Sequence, residues 1–289
     1  MLPKVQSMKI LTLNCHSLLE EDYPQKRKQF VDYVIRENVD LIALQEVNQT
    51  IGAAQIDPAM LEGFVPVPGM EKNMLEDNHA AHVAKLLRDA GLCVSWTWLP
   101  VKVSYDRYDE GLAMMRIGGA IREIDSIHLT RSADYSDWRV RKALGVRIGG
   151  DWFYTVHLGW WDDVQEPFLH QWNRLNESVR RDGAVWLMGD FNSPAEVRGE
   201  GYDQIRADGW HDAWLMAEQR RGEATVEGVI DGWRSRAENP ETLTGMRIDH
   251  IWCSRPASVA SAKVIFDGKH EPKVSDHFGI LLETKGENS

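Results

Sequence analysis

Polar side chains able to bind a metal ion or transfer a proton follow the apolar runs of this sequence, at points where each run ends abruptly. They are Asn14 and His16, Gln45 and Glu46, His157, Asp190 and Asn192, Asp249 and His250, and Asp276 and His277. Each one alone has an ordinary structural explanation, such as the capping of a turn by Asp190 and Asn192. Because binding groups gather on loops that a rigid sheet holds in place, their repetition at strand ends predicts one shared site.

Two of these residues suit a hard divalent cation. Mg²⁺ takes oxygen ligands and retains several waters, so the side chains of Asn14 and Glu46 would suffice to hold it. Such an ion offsets phosphate charge and polarises a P–O bond. The sequence lacks H-E-x-x-H, Cys-x-x-Cys, G-x-S-x-G and Walker-type phosphate-loop motifs, so zinc-peptidase, thiol-redox, serine-hydrolase and nucleotide-loop chemistries are disfavoured.

The remaining polar residues suit proton transfer around a phosphate ester. Asp190, held by Asn192 or by a metal, could orient or deprotonate the attacking water. His277, paired with a buried Asp249, could donate to the phosphoryl oxygen as charge develops there. Together with the metal-binding types, they predict a metal-dependent phosphoester hydrolase.

Composition and charge restrict the class of protein. The 289 residues are 43% hydrophobic, which suffices for one large domain or two small ones, and the net charge of -11 disfavours nucleic acid as a partner. A local basic groove or bound metal ions would reverse that field. Cys15, Cys93 and Cys253 are isolated, which argues against a disulfide framework or a zinc knuckle. Without a signal-peptide pattern or a membrane-length apolar run, we expect a cytoplasmic protein with no membrane contact and no obligate protein partner.

Hydrophobic periodicity predicts more strands than helices. Strands are predicted at residues 8–14, 40–45, 112–117, 121–129, 143–148, 153–158, 185–188, 248–253, 262–266 and 279–283. Helices are predicted around residues 30–35, at 78–90, and at 164–181 with an early interruption at Pro167. Two long irregular stretches, at about 50–76 and 199–245, are predicted to cover the substrate. Several strands follow one another without a helix between them, which favours two packed sheets with helices outside over a doubly wound parallel sheet. No Pro-, Gly- or Ser-rich linker divides the chain, and we predict a single domain over residues 1–289 with its core at about 8–284.

The order of the motifs LTLNCH, LIALQEV, YTVHLGW, LMGDFNSP, RIDHIW and VSDHFGI resembles the endonuclease/exonuclease/phosphatase superfamily, which contains DNase I-like nucleases and inositol-phosphate phosphatases. The resemblance extends from Met8 to Glu283. It implies an α/β fold of the α+β type, a four-layer α/β/β/α sandwich of two mostly antiparallel sheets, with the site at one rim. It also implies Mg²⁺, or Mn²⁺ or Ca²⁺, as cofactor. The roles implied are metal binding for Asn14, Glu46 and Asp276, phosphate contact for His157 and His277, water activation and orientation for Asp190 and Asn192, and support of His277 for Asp249.

Longer segments, such as WTWLPVKVSYDRYDEGLAM and VHLGWWDD, look like those of a bacterial subgroup that includes maltose 6'-phosphate phosphatase. This resemblance implies that the substrate is a small phosphorylated sugar. Trp160, Trp161 and Trp233 could stack on sugar rings, with core packing as the alternative for each. Glu110 could bind sugar hydroxyls or cap a turn, and Arg141 could clamp phosphate or form a surface ion pair.

Two other functions compete with the sugar phosphatase. A metal-dependent nuclease acting on DNA would need a basic groove, for which the sequence offers no basic run. An inactive binding module would have lost Glu46, Asp190 or His277, all of which are present.

Overall fold

Two β-sheets pack face to face in the computed structural model, which describes residues 7–228, 233 and 245–286. The strands are β1 Lys9–Asn14, β2 Leu41–Thr50, β3 Val94–Ser104, β4 Tyr108–Ile117, β5 Ile124–His128, β6 Lys142–Ile148, β7 Asp151–His157, β8 Val185–Asp190, β9 His211–Asp212, β10 Ala217–Arg221, β11 Asp249–Cys253, β12 Val259–Ile265 and β13 Gly279–Thr284. The helices are α1 Tyr23–Glu37, α2 His79–Asp89, α3 Phe168–Ser178, α4 Gly201–Ala207 and α5 Ala213–Met216, with short 3₁₀ turns at Ser17–Leu19 and Pro58–Leu61.

The strand pairing is mostly antiparallel. The first sheet has the order β10-β12-β13-β1-β2-β4-β3, and the second has the order β5-β6-β7-β8-β11-β9. Parallel pairing joins β1 to β2, β7 to β8 and β10 to β12, while the other neighbours are antiparallel. The predicted fold class, two mostly antiparallel sheets, is confirmed.

Alternation along the strands divides the apolar side chains into an inner and two outer layers. The inner faces of the two sheets bury residues such as Ile10 and Met188 against each other. Helices α1 and α2 cover the outer face of the first sheet, where Phe30 and Leu87 are buried. Helices α3 and α4 cover the outer face of the second, with Trp172 at its centre. The layers therefore run helix, sheet, sheet, helix, as the resemblance implied. Within the described residues, no helix is both long enough and apolar enough to cross a membrane.

Strand β3 is the longest strand that the sequence prediction missed. Its sequence contains Pro100, which lacks a backbone N–H and argues against a central strand. In the structure β3 lies at the edge of the first sheet, and its pairing with β4 is irregular between Pro100 and Lys102. Proline is tolerated in an edge strand and at a bulge, so Pro100 is compatible with β3, although it would disfavour a strand in the interior of the sheet.

Two further predictions are corrected. The stretch 199–245 is not irregular throughout, because residues 201–221 form α4, α5, β9 and β10. Tyr202 and Ile205, one helical turn apart, are buried against the outer core and account for α4. Residues 229–232 and 234–244 of that stretch lie outside the described residues. The helix predicted at 164–181 is confined to Phe168–Ser178, because Pro167 occupies its N-cap position.

The start of α2 gives a prediction about stability. The buried Asn78 side chain caps α2 by accepting from the Ala81 N–H at 3.1 Å and donates to Gln49 Oε1 at 3.1 Å. Asn78→Ala should lower the free energy of unfolding by about 1–2 kcal/mol, since it removes a buried helix cap and one of the two donors to Gln49 Oε1. Urea denaturation would measure the change. Asp57→Ala is the matched control, because Asp57 caps an exposed 3₁₀ turn by the same kind of bond to Ala59. An equal loss in the two variants would contradict the account.

Candidate active site

The polar strand ends identified in the sequence meet at one rim of the sandwich. Asn14 at the end of β1 is opposite Gln45, which lies at a β-bulge within β2, and His157 is opposite Asp190 at the ends of β7 and β8. Asp249 begins β11 opposite Asp190. Parallel neighbours end at the same edge of a sheet, so pairing alone gathers these side chains. Both sheets contribute to the rim.

Buried polar contacts hold the two sheets in register beneath this rim. The side chain of Gln45, on β2, donates from Nε2 to Thr155 Oγ1 on β7 at 2.7 Å. Gly189 lies beside it, and a Cβ at this position would meet the Val156 carbonyl oxygen at 2.1 Å and the Gln45 amide at 3.0 Å. The glycine of the MGDFNSP segment therefore permits the close approach of β7, β8 and Gln45 on which the geometry of the site rests.

Asn14 links the carboxylates of the two sheets. Its Nδ2 donates to Glu46 Oε1 at 2.8 Å and to Asp190 Oδ2 at 3.2 Å, while its Oδ1 accepts from the backbone N–H of His16 at 3.3 Å. The amide nitrogen, not the oxygen, therefore faces the carboxylates. In this arrangement Asn14 orients Glu46 and Asp190, whereas direct metal ligation, as the sequence predicted, would require its amide to rotate.

Unusual backbone angles aim several of these side chains into the site. Glu46 has a φ of +54° at a β-bulge, where the pairing of β2 with β4 shifts between Leu44 and Val47. Asn192 has a φ of +46°; its N–H donates to Asp190 Oδ1 at 2.8 Å and its Nδ2 to the Leu158 carbonyl at 2.9 Å. Non-glycine residues rarely adopt positive φ, and where they do the strain often accompanies function.

His277 and Asp249 form the predicted pair. His277 Nδ1 lies 3.0 Å from Asp249 Oδ2, and both side chains are buried. Burial alone would lower the pKa of His277, but the charge of Asp249 and its hydrogen bond outweigh that effect and hold the pKa well above the ordinary value. The other ring nitrogen, Nε2, lies 3.8 Å from Asp190 Oδ2. A protonated imidazole therefore stands beside the carboxylate at the centre of the site.

For the other titratable groups of the site, burial is the largest effect on the pKa, and it favours the uncharged form. It raises the pKa of Asp190 to about 7, against the influence of His277. Burial, and after it the charge of Glu110, raise the pKa of Glu46. His157 has a pKa well below its ordinary value, because burial and the nearby Arg141 cation disfavour its charged form. Its Nε2 lies 3.5 Å from Asp190 Oδ2.

These groups open into a cleft of about 610 Å³. Five carboxylates line it, together with two long-chain cations and three imidazoles. They are Glu46, Asp106, Glu110, Asp190 and Asp276, then Lys102 and Arg141, then His16, His157 and His277. A cleft with this excess of acid would repel a phosphate unless cations were bound there. The oxygen-rich donor set and the raised carboxyl pKa values fit a hard divalent cation, for which Glu46 and Asp190, both bound by Asn14, are candidate oxygen donors.

The third predicted metal ligand, Asp276, lies at the edge of the cleft and is partly exposed. Its Oδ1 is 3.9 Å from His16 Nδ1, which is itself 2.8 Å from Glu20 Oε1. Glu20 also pairs with Lys26. Burial opposes protonation of His16, but the bond to Glu20 and the charge of Asp276 raise its pKa to about 9. The His16 imidazolium and the Lys26 ammonium therefore already offset much of the negative charge of Glu20 and Asp276.

The predicted substrate-binding residues reach different places. Glu110 and Arg141 are buried in the cleft wall, and Trp160 lines it with 8% of its surface exposed. Trp233 donates from its indole N–H to Asn192 Oδ1 at 3.0 Å, which places it against a residue of the cleft lining. Trp161 is corrected: its ring packs 6.0 Å from that of Phe168 on α3, as part of the outer core.

Lys102, Tyr105 and Trp138 are among the cleft residues that were not predicted from the sequence. Lys102, on the missed strand β3, is buried with Nζ 3.2 Å from Glu110 Oε1. Tyr105 and Trp138 line the mouth of the cleft and are exposed. A lysine next to Pro100 in an apolar run would have been a signal, because buried lysines are uncommon outside functional sites. Nothing in the local sequence distinguishes Trp138 from the tryptophans of the core.

Comparisons with known proteins agree with this fold and site. The model of the endonuclease/exonuclease/phosphatase family matches residues 11–277. The chain therefore belongs to the endonuclease/exonuclease/phosphatase family, whose members hydrolyse phosphoesters and generally depend on a divalent metal. No curated protein sequence matches the chain significantly.

Solved structures support the same assignment. A family protein from Leptotrichia buccalis is 26% identical with a TM-score of 0.80, over 97% of this chain and 100% of the other. A mannosyl-6-phosphatase from Bacteroides thetaiotaomicron is 17% identical with a TM-score of 0.59, over 95% and 98%. A 3' phosphatase from Neisseria bound to a product DNA hairpin is 18% identical with a TM-score of 0.58, over 96% and 99%. The last two show the shared fold.

The pairing of His277 with Asp249 gives a prediction about protonation. Asp249→Asn should lower the pKa of His277, because the largest stabilising partner of the imidazolium is lost while burial remains. NMR titration of the histidine ring protons with a chelator present would measure it. Asp267→Asn is the matched control, since it breaks the similar His270–Asp267 pair, 2.8 Å long, outside the cleft. A wild-type His277 titrating near 6.5, or no shift in Asp249→Asn, would contradict the assignment.

Proposed function

We propose that this protein is a divalent-metal-dependent phosphatase that removes the phosphate from a small phosphorylated sugar. The observation that carries the proposal is the pair of buried cations, Lys102 and Arg141, in the wall of the cleft that contains Asp190 and His277. A terminal phosphate monoester carries nearly two negative charges, against one for a diester. Two cations built into the wall of a small cleft favour the monoester of a small molecule.

Arg141 is held in place by the protein backbone. One guanidinium nitrogen donates to the Trp138 carbonyl at 3.0 Å and to the Val140 carbonyl at 3.2 Å, and the guanidinium lies 5.8 Å from the ring centre of Trp160. The buried Nε is without a hydrogen-bond partner among the described residues. We propose that the Arg141 guanidinium and the Lys102 ammonium contact phosphate oxygens of the substrate.

The metal, Mg²⁺ by our proposal with Mn²⁺ or Ca²⁺ as alternatives, would be held by Glu46 and Asp190, with Asp276 at the cleft edge and Asn14 orienting the first two. When bound, it would neutralise phosphate charge and polarise the P–O bond. Its presence also favours the ionised form of Asp190, whose pKa burial otherwise raises. Closely placed buried carboxylates destabilise the folded protein unless a cation compensates their charge. The same carboxylates therefore attract the ion.

The protein residues then supply proton transfer and orientation. Asp190, with its Oδ1 held by the Asn192 N–H, would position and deprotonate the attacking water. His277, kept protonated by Asp249, would stabilise charge on the phosphoryl oxygens. His157, kept neutral by its surroundings, would contact the phosphate through a ring N–H.

Release of inorganic phosphate from a panel of substrates tests the proposal. The panel contains maltose 6'-phosphate, glucose 6-phosphate and mannose 6-phosphate, with plasmid and abasic-site DNA assayed for cleavage in parallel. We expect phosphate release from a sugar phosphate that EDTA abolishes and Mg²⁺ restores, with the DNA intact. DNA cleavage without sugar-phosphate turnover would contradict the proposal and favour the nuclease alternative; no activity on either would favour the inactive binding module.

Matched variants connect that activity to the site. Asp190→Asn and His277→Ala should each lower kcat by roughly 10²-fold or more, as loss of acid–base or electrostatic stabilisation does. Asp267→Asn and His270→Ala remove the same types of side chain from a pair outside the cleft, and should retain activity. Near wild-type rates in the first two variants would exclude the proposed roles.

A further inference from the structure

Two exposed aromatic side chains stand at the mouth of the cleft. Tyr105 is 53% exposed and Trp138 is 44% exposed, and no other aromatic residue of the described part of the chain belongs to the exposed class. Tryptophan is otherwise a core residue here, as Trp96, Trp98 and Trp252 are fully buried. Both exposed rings line the cleft that contains Asp190. Aromatic side chains that are exposed at the mouth of a cleft indicate a binding surface.

The loop that carries Trp138 is fixed at several points. It connects β5 to β6, and the Tyr135 carbonyl accepts from the Val103 N–H at 2.8 Å, which ties the loop to β3 of the other sheet. The Tyr135 hydroxyl donates to Asp109 Oδ1 at 2.9 Å. The Arg139 guanidinium lies 4.2 Å from the Trp138 ring centre. The indole is therefore presented to solvent from a well-tied loop, which lowers the entropy cost of using it in binding.

Tyr105 occupies a backbone position that disfavours its side chain. Tyr105 and Asp106 have φ values of +53° and +50°, and the Arg107 N–H donates to the Ser104 carbonyl at 3.0 Å. Ser104 to Arg107 form a β-turn within the three-residue connection of β3 to β4, and its two central residues have the positive φ that asparagine and glycine normally adopt. A bulky aromatic residue at positive φ costs stability.

The backbone of Trp138 lies close to the proposed phosphate end of the cleft. The Trp138 carbonyl accepts directly from Arg141, the proposed phosphate ligand, at 3.0 Å. The Trp138 ring centre is also 6.0 Å from that of Trp160, which lines the same wall. We therefore expect a group joined to a phosphate beside Arg141 to extend along the wall that contains Trp160 and Trp138. Ser104, Asp106 and Ser136 line the cleft as well and supply hydroxyl and carboxylate groups.

Resting on the proposed function, we propose that Trp138 and Tyr105 form the subsite for the leaving-group sugar, a pyranose ring whose C–H face stacks on the aromatic rings. The combination of flat apolar faces with flanking hydroxyl and carboxylate groups matches a sugar, which has C–H faces and hydroxyl edges. A nucleobase also stacks on aromatic rings. The carboxylate of Asp106 and the net charge of -11 disfavour the polyanionic backbone of a nucleic acid.

Comparing two substrates in two variants tests the subsite. Trp138→Ala should raise KM for maltose 6'-phosphate by roughly tenfold, the loss expected for one aromatic stacking contact. KM and kcat for glycerol 3-phosphate, which has no ring, should stay within about twofold. Tyr105→Asn should raise KM for the sugar phosphate and also raise the midpoint of thermal unfolding, because asparagine suits the turn. Leu215→Ala, at an exposed apolar residue outside the cleft, is the control and should change neither substrate.

If Trp138→Ala raised KM equally for both substrates, or changed neither KM, the subsite would be overturned. A larger increase in KM for a nucleoside monophosphate than for the sugar phosphate would also overturn it. Saturation-transfer NMR with unphosphorylated maltose separates this inference from the proposed function. Binding by the wild type that Trp138→Ala abolishes supports the subsite even if no sugar phosphate is hydrolysed. Hydrolysis of sugar phosphates without Trp138-dependent maltose binding supports the proposed function and overturns the subsite.

Discussion

The amide of Asn14 makes the contact on which the site depends. It donates to Glu46, from the neighbouring strand of its own sheet, and to Asp190, from the opposite sheet. Two carboxylates would otherwise repel each other across a buried rim, where charge–charge interactions are strong. One donor group with two N–H bonds lets them approach, and Gln45 fixes the spacing of the sheets just below by its bond to Thr155.

This arrangement costs stability, because it requires unfavourable backbone angles and buries ionisable side chains. Glu46 and Asn192 adopt positive φ, and the pKa values of Glu46 and Asp190 are raised by burial. Such local instability persists only when the surrounding fold is stable enough to impose it. The continuous core between the sheets and the two outer layers of packed helices provide that stability. A bound cation would relieve much of the electrostatic cost, which couples metal binding to the stability of the rim.

The centre of the site could be predicted from the sequence because its residues interrupt strong apolar patterns. Asp190 and His157 each end a buried strand, and a strand end is visible in the alternation of side chains. The cleft walls could not be predicted in the same way. Lys102 lies on an edge strand whose Pro100 concealed it, and Trp138 lies in a loop whose position depends on contacts with the other sheet. Trp161 was predicted for the cleft because it lies just past His157, yet adjacent residues face different layers and its ring packs outward against Phe168.

The central claim, that Asn14 organises Glu46 and Asp190 into a divalent-cation site, is tested most directly by titrating the protein with Mn²⁺ and following free Mn²⁺ by electron paramagnetic resonance. The account predicts saturable binding to the wild type, and a dissociation constant roughly 10- to 100-fold higher in Asn14→Ala, the loss typical when a residue orienting a metal ligand is removed. Unchanged Mn²⁺ affinity in Asn14→Ala, or no saturable binding by the wild type, would contradict the account.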